Sequence, residues 1–312
     1  MHAVKRFLPA LICAVVFAGA GCFWQQKKVA PPAPVQGDIL KSLNLNIQSE
    51  QNNKLTLRRG VDSVSLFKGS RGIIFNGVAV FLPDPVTVSP ENRWEISDKS
   101  AKMFLEPLLG KRKFPIRTIV IDPGHGGHDS GAVSVHGAAE KNLNLLLALN
   151  VAAELRKKGF KVVMTREKDK FISLDKRPEI AEKCKADLFI SIHHNSAPNI
   201  NAAGFEIFLH TPQSEKDIDR AAKGANLALQ ICRRVSPLNT FPGRGVKHAN
   251  FKVLRLAKCP AILIEAGFLS HPAESAYMAT NHFRKNFSTA LAEEIAGFVS
   301  VDAQDKLLQA AR

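Results

Sequence analysis

Apolar positions follow two rhythms along the chain. Across residues 39–110 they alternate with polar ones. Leu55 and Leu57 stand two apart, as do Val64 and Leu66, which is the period of a strand with one buried face. Ile73, Ile74 and Phe75 run into Asn76-Gly77, and 78–82 resume the apolar run, which predicts a hairpin closed by a two-residue turn. Residues 100–106 read as a short helix stopped by Pro107. From Phe114 onward strand patterns alternate with helical ones. Runs 118–121, 161–165, 187–192, 205–209 and 261–265 read as strands, and 143–158, 177–185, 218–235 and 282–299 as helices. In the first helix Leu143, Leu146, Leu147, Val151 and Leu155 recur at helical spacing, and Gly159 ends it. This alternation predicts an α/β fold: a doubly wound, mostly parallel sheet with helices on both faces, preceded by a small β-rich domain.

The amino-terminal segment has a different character. His2, Lys5 and Arg6 precede an uncharged apolar run over 7–20, too short for a bilayer span of about 20 residues and suited to the core of an export signal. Gly19-Ala20-Gly21 before Cys22 resembles a bacterial lipoprotein cleavage site, in which the cysteine takes the lipid; Ala18-Gly19-Ala20 also suits ordinary signal peptidase, which would give simple secretion. QQKKVAPPAPVQG (25–37) is a Pro-rich tether with little capacity for a core. The expected organisation is a signal peptide at 1–21, a tether at 22–37, the β-rich domain at 38–112, the α/β domain at 113–303 and a tail at 304–312. Lys111-Arg112-Lys113 marks the boundary.

Composition narrows the class. Of 312 residues, 45% are hydrophobic and 23% charged, which excludes a wholly disordered, collagenous or coiled-coil chain. A net charge of +15 calls for an anionic partner or surface. Five cysteines without a C-x-x-C pair argue against both a disulfide scaffold and a cysteine zinc site, so Cys184, Cys232 and Cys259 read as small buried hydrophobes.

The chemistry gathers where strands end. In open α/β sheets ligands bind outside the carboxyl ends of the strands. Strand 118–121 runs into Asp122-Pro123-Gly124-His125-Gly126-Gly127, strand 187–192 into His193-His194, and strand 261–264 into Glu265, while Glu140 opens the helix after the first strand. His125, Glu140 and His193 make a His-Glu-His set, the three-ligand pattern of zinc hydrolases that keep a fourth position for water. Glu265, ending an otherwise apolar strand, suits the base that such a site needs to carry a proton to the leaving nitrogen. Spacing alone leaves His193 and His194 as alternatives, since successive strand residues face opposite ways.

Residues 117–299 resemble the zinc-dependent N-acetylmuramoyl-L-alanine amidases of bacterial cell walls, the type 3 amidase family. The motifs are IVIDPGHGGHDSGA (119–132), EKNLNL (140–145), VVMTREKDKFISL (162–174), ADLFISIHHNS (186–196), GFEIFL (204–209), GVKHANFKVLR (245–255) and PAILIEAGFLSH (260–271). The resemblance implies one zinc ion on His125, Glu140 and His193, with Glu265 as the catalytic glutamate. The reaction it implies is hydrolysis of the amide between N-acetylmuramic acid and L-alanine of peptidoglycan, in wall remodelling, daughter-cell separation or recycling. It selects His193 over His194 because the family's ligand directly follows Ser-Ile. His194 is then expected to face solvent or to line the substrate groove. Glu206 is expected to orient a ligating histidine and His248 to border the cleft, while His128 and His271 are non-ligands. Arg166 and Arg177 are expected to brace sheet–helix contacts. The β-rich segment is similar in pattern to the N-terminal stalk-like domain of copper amine oxidases, and no chemistry is assigned to it.

Two rival classes are a zinc peptidase acting on the stem peptide, which lacks an H-E-x-x-H motif here, and a non-catalytic peptidoglycan-binding lipoprotein, which would not need all four key residues. Nucleic-acid binding would account for the charge but not for the export signal or the metal set, so no nucleic acid is expected. Some amidases of the family hold a blocking helix between the second histidine and the glutamate. Here strand 204–209, helix 218–235 and motif 245–255 fill that interval. The remaining 211–217 and 236–244 are each too short for a helix of about three turns with hinges, so no obligate activator is expected. The expected location is the periplasm, with the protein tethered to the membrane by a lipid on Cys22. Phe23-Trp24 lack the aspartate that retains lipoproteins at the inner membrane, which points to the outer one.

Overall fold

The computed structural model describes residues 43–110, 113–238 and 243–299. The export signal, the tether with Cys22, the Lys111-Arg112 boundary and the tail lie outside the described residues. The chain opens with an antiparallel meander of five strands, β1 (Asn46–Gln51), β2 (Lys54–Arg59), β3 (Asp62–Phe67), β4 (Gly72–Phe75) and β5 (Val78–Phe81). The predicted hairpin is present: Asn76 and Gly77 join β4 to β5 with positive φ at both, the geometry that matches strand twist. Leu55, Leu57, Val64, Leu66, Ile73, Phe75 and Val80 all point to one face and are buried, as their alternation requires.

A two-stranded ribbon, β6 (Thr87–Val88) and β7 (Trp94–Glu95), leads to a helical stretch over 98–110. Pro107 does not stop this helix. The stretch runs as Asp98–Ser100, a π-wound turn Ala101–Leu105 and a final segment Glu106–Gly110, with the Glu106 N–H reaching the Ala101 carbonyl five residues back. Proline has no N–H and its ring crowds the carbonyl four residues earlier. The wider π turn, followed directly by a fresh helical start, absorbs both defects. Burial of Met103, Phe104, Leu105, Leu108 and Leu109 holds the stretch on the sheet.

The α/β part follows: β8 (Thr118–Pro123), α1 (Glu140–Lys157), β9 (Lys161–Met164), α2 (Lys176–Lys183), β10 (Leu188–Asn195), β11 (Glu206–His210), α3 (Glu215–Val235), β12 (Gly245–Ala249), α4 (Lys252–Leu256), β13 (Ala261–Phe268), α5 (Pro272–Met278) and α6 (Asn281–Phe298). Every predicted strand and helix is present, with ends moved by a few residues. Helix α1 opens at Glu140, as expected, three residues before the apolar spacing that begins at Leu143. Strand β12 and helices α4 and α5, of five to seven residues each, escaped the sequence reading because so short a run shows no period.

The strands form one eleven-stranded sheet in the order β1-β2-β3-β4-β5-β12-β11-β13-β10-β8-β9. Strands β13, β10, β8 and β9 are mutually parallel, and β11 runs antiparallel to β13 and parallel to β12. The meander joins this sheet directly: β5 lies parallel to β12, with Val80 opposite Val246. One face, carrying Leu55, Val80, Ile207, Ile264, Ile192 and Ile119, is covered by α1, α3, α6 and the 98–110 stretch. On the other face Val120, Phe189 and Leu263 are covered by α2 and α4.

The join depends on a glycine. Gly245 takes φ +85, and a Cβ there would stand 2.0 Å from the Ala79 carbonyl oxygen on β5. Gly245→Ala is therefore expected to cost more than about 1 kcal/mol, whereas Gly297→Ala, helical and with nothing within 4 Å, is expected to be neutral or stabilising. Urea midpoints of the two variants check this; equal midpoints would contradict the strained join.

Candidate metal centre

The site is built where β8, β10 and β13 end beside the first turn of α1. In parallel register His193 on β10 stands next to Glu265 on β13, and Ser191 next to Asp122 on β8. Paired residues in neighbouring strands share a face, so His193 and Glu265 both turn toward the α2/α4 side. After β8 the chain must bring His125 back over these strands. His125 itself takes φ +59, a strained value for a side-chain-bearing residue and one that clusters at functional sites. Gly124 allows the close approach: a Cβ there would lie 2.2 Å from the His193 ring.

Buried arginines hold this loop. Arg166 donates to the carbonyls of Pro123, Gly124 and Lys141, and Arg177 to those of Pro123 and His125. Arg177 also pairs with Asp122 at 2.8 Å, and Asp122 accepts from Thr165 and Ser191 as well. The two arginines thus brace the loop itself, besides the sheet–helix contacts.

The described residues contain one group able to hold a metal ion, His125, Glu140 and His193, whose ligand atoms all lie within 4.8 Å of one another. His193 Nδ1 lies 2.9 Å from Glu140 Oε1 and His125 Nε2 lies 3.1 Å from Glu140 Oε2. Burial opposes charge on Glu140, yet the two imidazoles outweigh it and hold the carboxyl below its usual range. Burial likewise works against protonated His125, but Glu140 and then Asp129 raise it. Asp129 accepts from His125 Nδ1 at 2.9 Å, which fixes the ring and leaves Nε2 turned inward. Asp129 went unnoticed in the sequence, although its place four residues after His125 in HGGHD was the available signal.

Glu265 lines the same cleft and makes no bond to the triad. Its Oε2 is buried without a hydrogen-bond partner. Burial first, then the charges of Glu140 and Glu206, push its carboxyl well above the ordinary carboxylate range. A cation held by the neighbouring triad would offset that repulsion, and two imidazoles with a carboxylate form a nitrogen and oxygen donor set suited to zinc. The cleft has a volume of about 430 Å³. Besides His125, His193 and Glu265 it is lined by the charged Asp122, Asp129, Arg177 and Lys252 and by apolar side chains, among them Phe171, Leu174 and Phe251.

A family model described as N-acetylmuramoyl-L-alanine amidase matches residues 119–297, more than half of the chain. The chain belongs to that family. It is 31% identical over 219 residues to N-acetylmuramoyl-L-alanine amidase AmiA of Escherichia coli, covering 58% of this chain and 76% of the relative. A crystal structure of N-acetylmuramoyl-L-alanine amidase from Clostridium difficile 630 superposes with a TM-score of 0.54 at 32% identity, over 59% of this chain and 97% of the other. Amidase AmiC2 of Nostoc punctiforme gives 0.51 at 34% identity, over 58% and 96%.

Three expectations for this amidase are corrected. His194 neither faces solvent nor lines the groove. It is 2% exposed, on the α1 side of the sheet, and its Nδ1 donates to Asn144 Oδ1 at 2.7 Å. Desolvation lowers its pKa to about 4, so the ring is neutral. Asn144 in turn donates to Glu140 Oε1 at 3.1 Å. Strand alternation sends His193 and His194 to opposite faces, and α1 covers the second. Glu206 touches no histidine: it accepts from Asn195, Arg244 and Lys247, because β11 sets it beside Glu265. His248 packs edge-on against Phe104 at 5.2 Å under the helical stretch, away from the cleft. His128 stacks on Phe171 and His271 caps α5, which leaves both outside the triad.

His194→Ala would leave Asn144 short of a partner in a dry layer, and an unpaired buried group costs about 1–3 kcal/mol. The variant is expected to lower the denaturation midpoint accordingly. An unchanged midpoint would show that the Asn144 bond contributes nothing to stability.

Proposed function

We propose that this chain hydrolyses the amide between N-acetylmuramic acid and L-alanine of peptidoglycan, with one zinc ion held by His125, Glu140 and His193 and with Glu265 as general acid and base. The observation that carries the reading is the pairing, within the family's matched region, of a His-Glu-His cluster with a buried, unpartnered carboxyl in one cleft. Bound there, zinc supplies Lewis-acid polarisation of the scissile carbonyl and lowers the pKa of water to about 7.

The chain's own groups do the rest. Asp129 and Glu140 set the angles of the two imidazoles. Glu265, beside His193 in register, takes the proton from the attacking water and delivers it to the departing alanine nitrogen. Burial first, then the charges of Glu140 and Glu206, raise its pKa, and a cation on the triad would offset that repulsion and leave the carboxylate able to take the proton that it then delivers. No partner protein is required on this reading. Among the described residues the interval from His193 to Glu265 is occupied by β11, α3, β12 and α4, and His193 keeps 19% of its side chain exposed.

Digestion of isolated peptidoglycan by the purified full-length chain, read by mass spectrometry, tests this. Free stem peptides beginning with L-alanine are expected, with activity abolished by chelation and restored by zinc. Glu265→Gln should keep its metal yet lose about 10²–10⁴-fold in rate. Shortened peptides still attached to sugar, or full turnover in a preparation shown to be metal-free, would overturn the reading.

The reading extends to location. Cys22 after Gly19-Ala20-Gly21 favours a lipid anchor in the outer membrane over simple secretion, with the Pro-rich tether carrying the enzyme into the periplasm toward the wall. Among the described residues no helix is long and apolar enough to cross a membrane. Cys22→Ser is expected to move the protein from membrane to soluble fractions; identical fractionation of variant and parent would reject the anchor.

A further inference from the structure

The sheet has a second open surface that the hydrolytic site does not use. On the face that carries Glu265, α2 lies against β8, and α4 against β11 and β13. Farther out the same face is carried by β12, β5, β4, β3 and β2. Their other face is packed into the core through Val246, Val80, Ile73, Val64 and Leu55. By strand alternation the opposite face presents Phe208, Lys247, Phe81, Ile74, Ser65 and Thr56. Only Ser65 among these is fully buried.

This row is continuous with the cleft. Phe251, a cleft wall residue, stacks edge-on against Phe208 with ring centroids 5.2 Å apart. Lys247 Nζ lies 5.8 Å from the ring centres of both Phe208 and Phe81, which carries the row across the β12–β5 join. Beyond Ile74, paired with Ser65, and Thr56, whose hydroxyl meets that of Ser65, a second aromatic–cation pair stands on β3 and β2. There Lys54 Nζ lies 5.8 Å from the Phe67 ring centre. Five strand spacings separate β13 from β3, about 24 Å at the usual 4.8 Å, room for several sugar rings.

We propose that this open face is the docking track for the glycan strand of peptidoglycan, leading the polymer from the amino-terminal strands into the cleft. The inference rests on the amidase reading above. Half-exposed phenylalanine rings offer flat, rigid contact for the apolar faces of pyranose rings. Exposed Lys54, stationed beside the Phe67 ring, meets the carboxylates that stem peptides hang from the polymer, while Lys247 is taken up by its ion pair with Glu206. The substrate supplies the geometric argument. Peptidoglycan is a continuous polymer, and a cleft of about 430 Å³ holds only the reacting disaccharide and peptide junction. The flanking strand must lie somewhere, and the uncovered sheet beside Phe251 is the contiguous surface. The track also gives the meander a role that its hydrogen-bonded join to β12 would serve, since a rigid sheet keeps a bound strand aligned with Glu265.

The test compares polymer with small substrate, using the full-length chain. The variants are Phe81→Ala with Ile74→Thr, and, separately, the exposed Lys54→Glu. Each is expected to co-sediment about tenfold more weakly with purified sacculi and to lose a similar factor in kcat/KM on them, the scale seen when an aromatic anchor is truncated on a binding surface. Turnover of a soluble muramyl peptide too short to leave the cleft should stay within about twofold, since the residues lining the cleft are untouched. Unchanged sacculus binding in folded variants, or equal losses on both substrates, would overturn the track. Parent protein that self-associates while the Phe81 variant is monomeric and still binds sacculi would assign the face to a second copy of the chain instead. Failure of the parent to cleave the soluble substrate would count against the amidase reading itself, a separate outcome.

Discussion

One carboxylate ties the two sides of the sheet together. Glu140 is the first residue of a helix packed on one face, and its Oε1 accepts from the ring of His193, which serves the opposite face. The same oxygen accepts from the backbone N–H of His194 and from Asn144, while Oε2 accepts from the Ala132 N–H and lies against His125. A buried anion is costly unless it is well bonded, and Glu140 is bonded on every side. The positions of the two candidate ligand histidines are therefore tied to one group, with Asp129 holding the other side of the His125 ring. The loop 124–131 and the start of α1 both depend on it for their geometry.

That constraint explains why two adjacent histidines have unrelated lives. His193 is half-buried at the cleft, and His194 is sealed beneath α1 and kept neutral by desolvation. Sequence reading placed the division correctly, because a strand must split neighbours between its faces. It misjudged what lay on the far side, since nothing in a one-dimensional pattern says that Asn144, a full turn into α1, would reach back to meet the ring. The loop histidine, the helix-opening Glu140 and the strand-ending Glu265 were legible for a simpler reason: all three stand at the carboxyl edge of the strands, and Glu265 ends an apolar run where burial needs a chemical explanation. Glu206 instead opens its strand. Its partners Arg244 and Lys247 come from beyond α3, so the cross-strand pairing that joins them to it was invisible in local sequence.

The amino-terminal half shows where alternation suffices and where it fails. Leu55, Leu57, Val64 and Leu66 predicted both the strands and the face they bury. The hairpin turn was legible because Asn-Gly meets a backbone demand that few other pairs meet. Pro107 misled because the usual cost of an internal proline was applied to an ordinary helix, whereas the π turn before it removes that cost. The pairing of β5 with β12 was beyond reach, as parallel pairing between residues far apart in sequence leaves no mark on either strand except the glycine that lets them approach.

Electrostatics link these elements. Glu206 and Glu265 stand side by side across β11 and β13, two acids in a dry layer, and only Glu206 has cations of its own. Arg244 and Lys247 pair with Glu206, whereas burial first, then the charges of Glu140 and Glu206, push the Glu265 carboxyl well above the ordinary carboxylate range. Lys247 sits at the same time between the rings of Phe208 and Phe81. One side chain thus compensates the acid that tunes the candidate base and forms part of the open face that continues onto the amino-terminal strands. The meander and the hydrolytic site meet at that lysine and at the β5–β12 join, where Val80 stands opposite Val246.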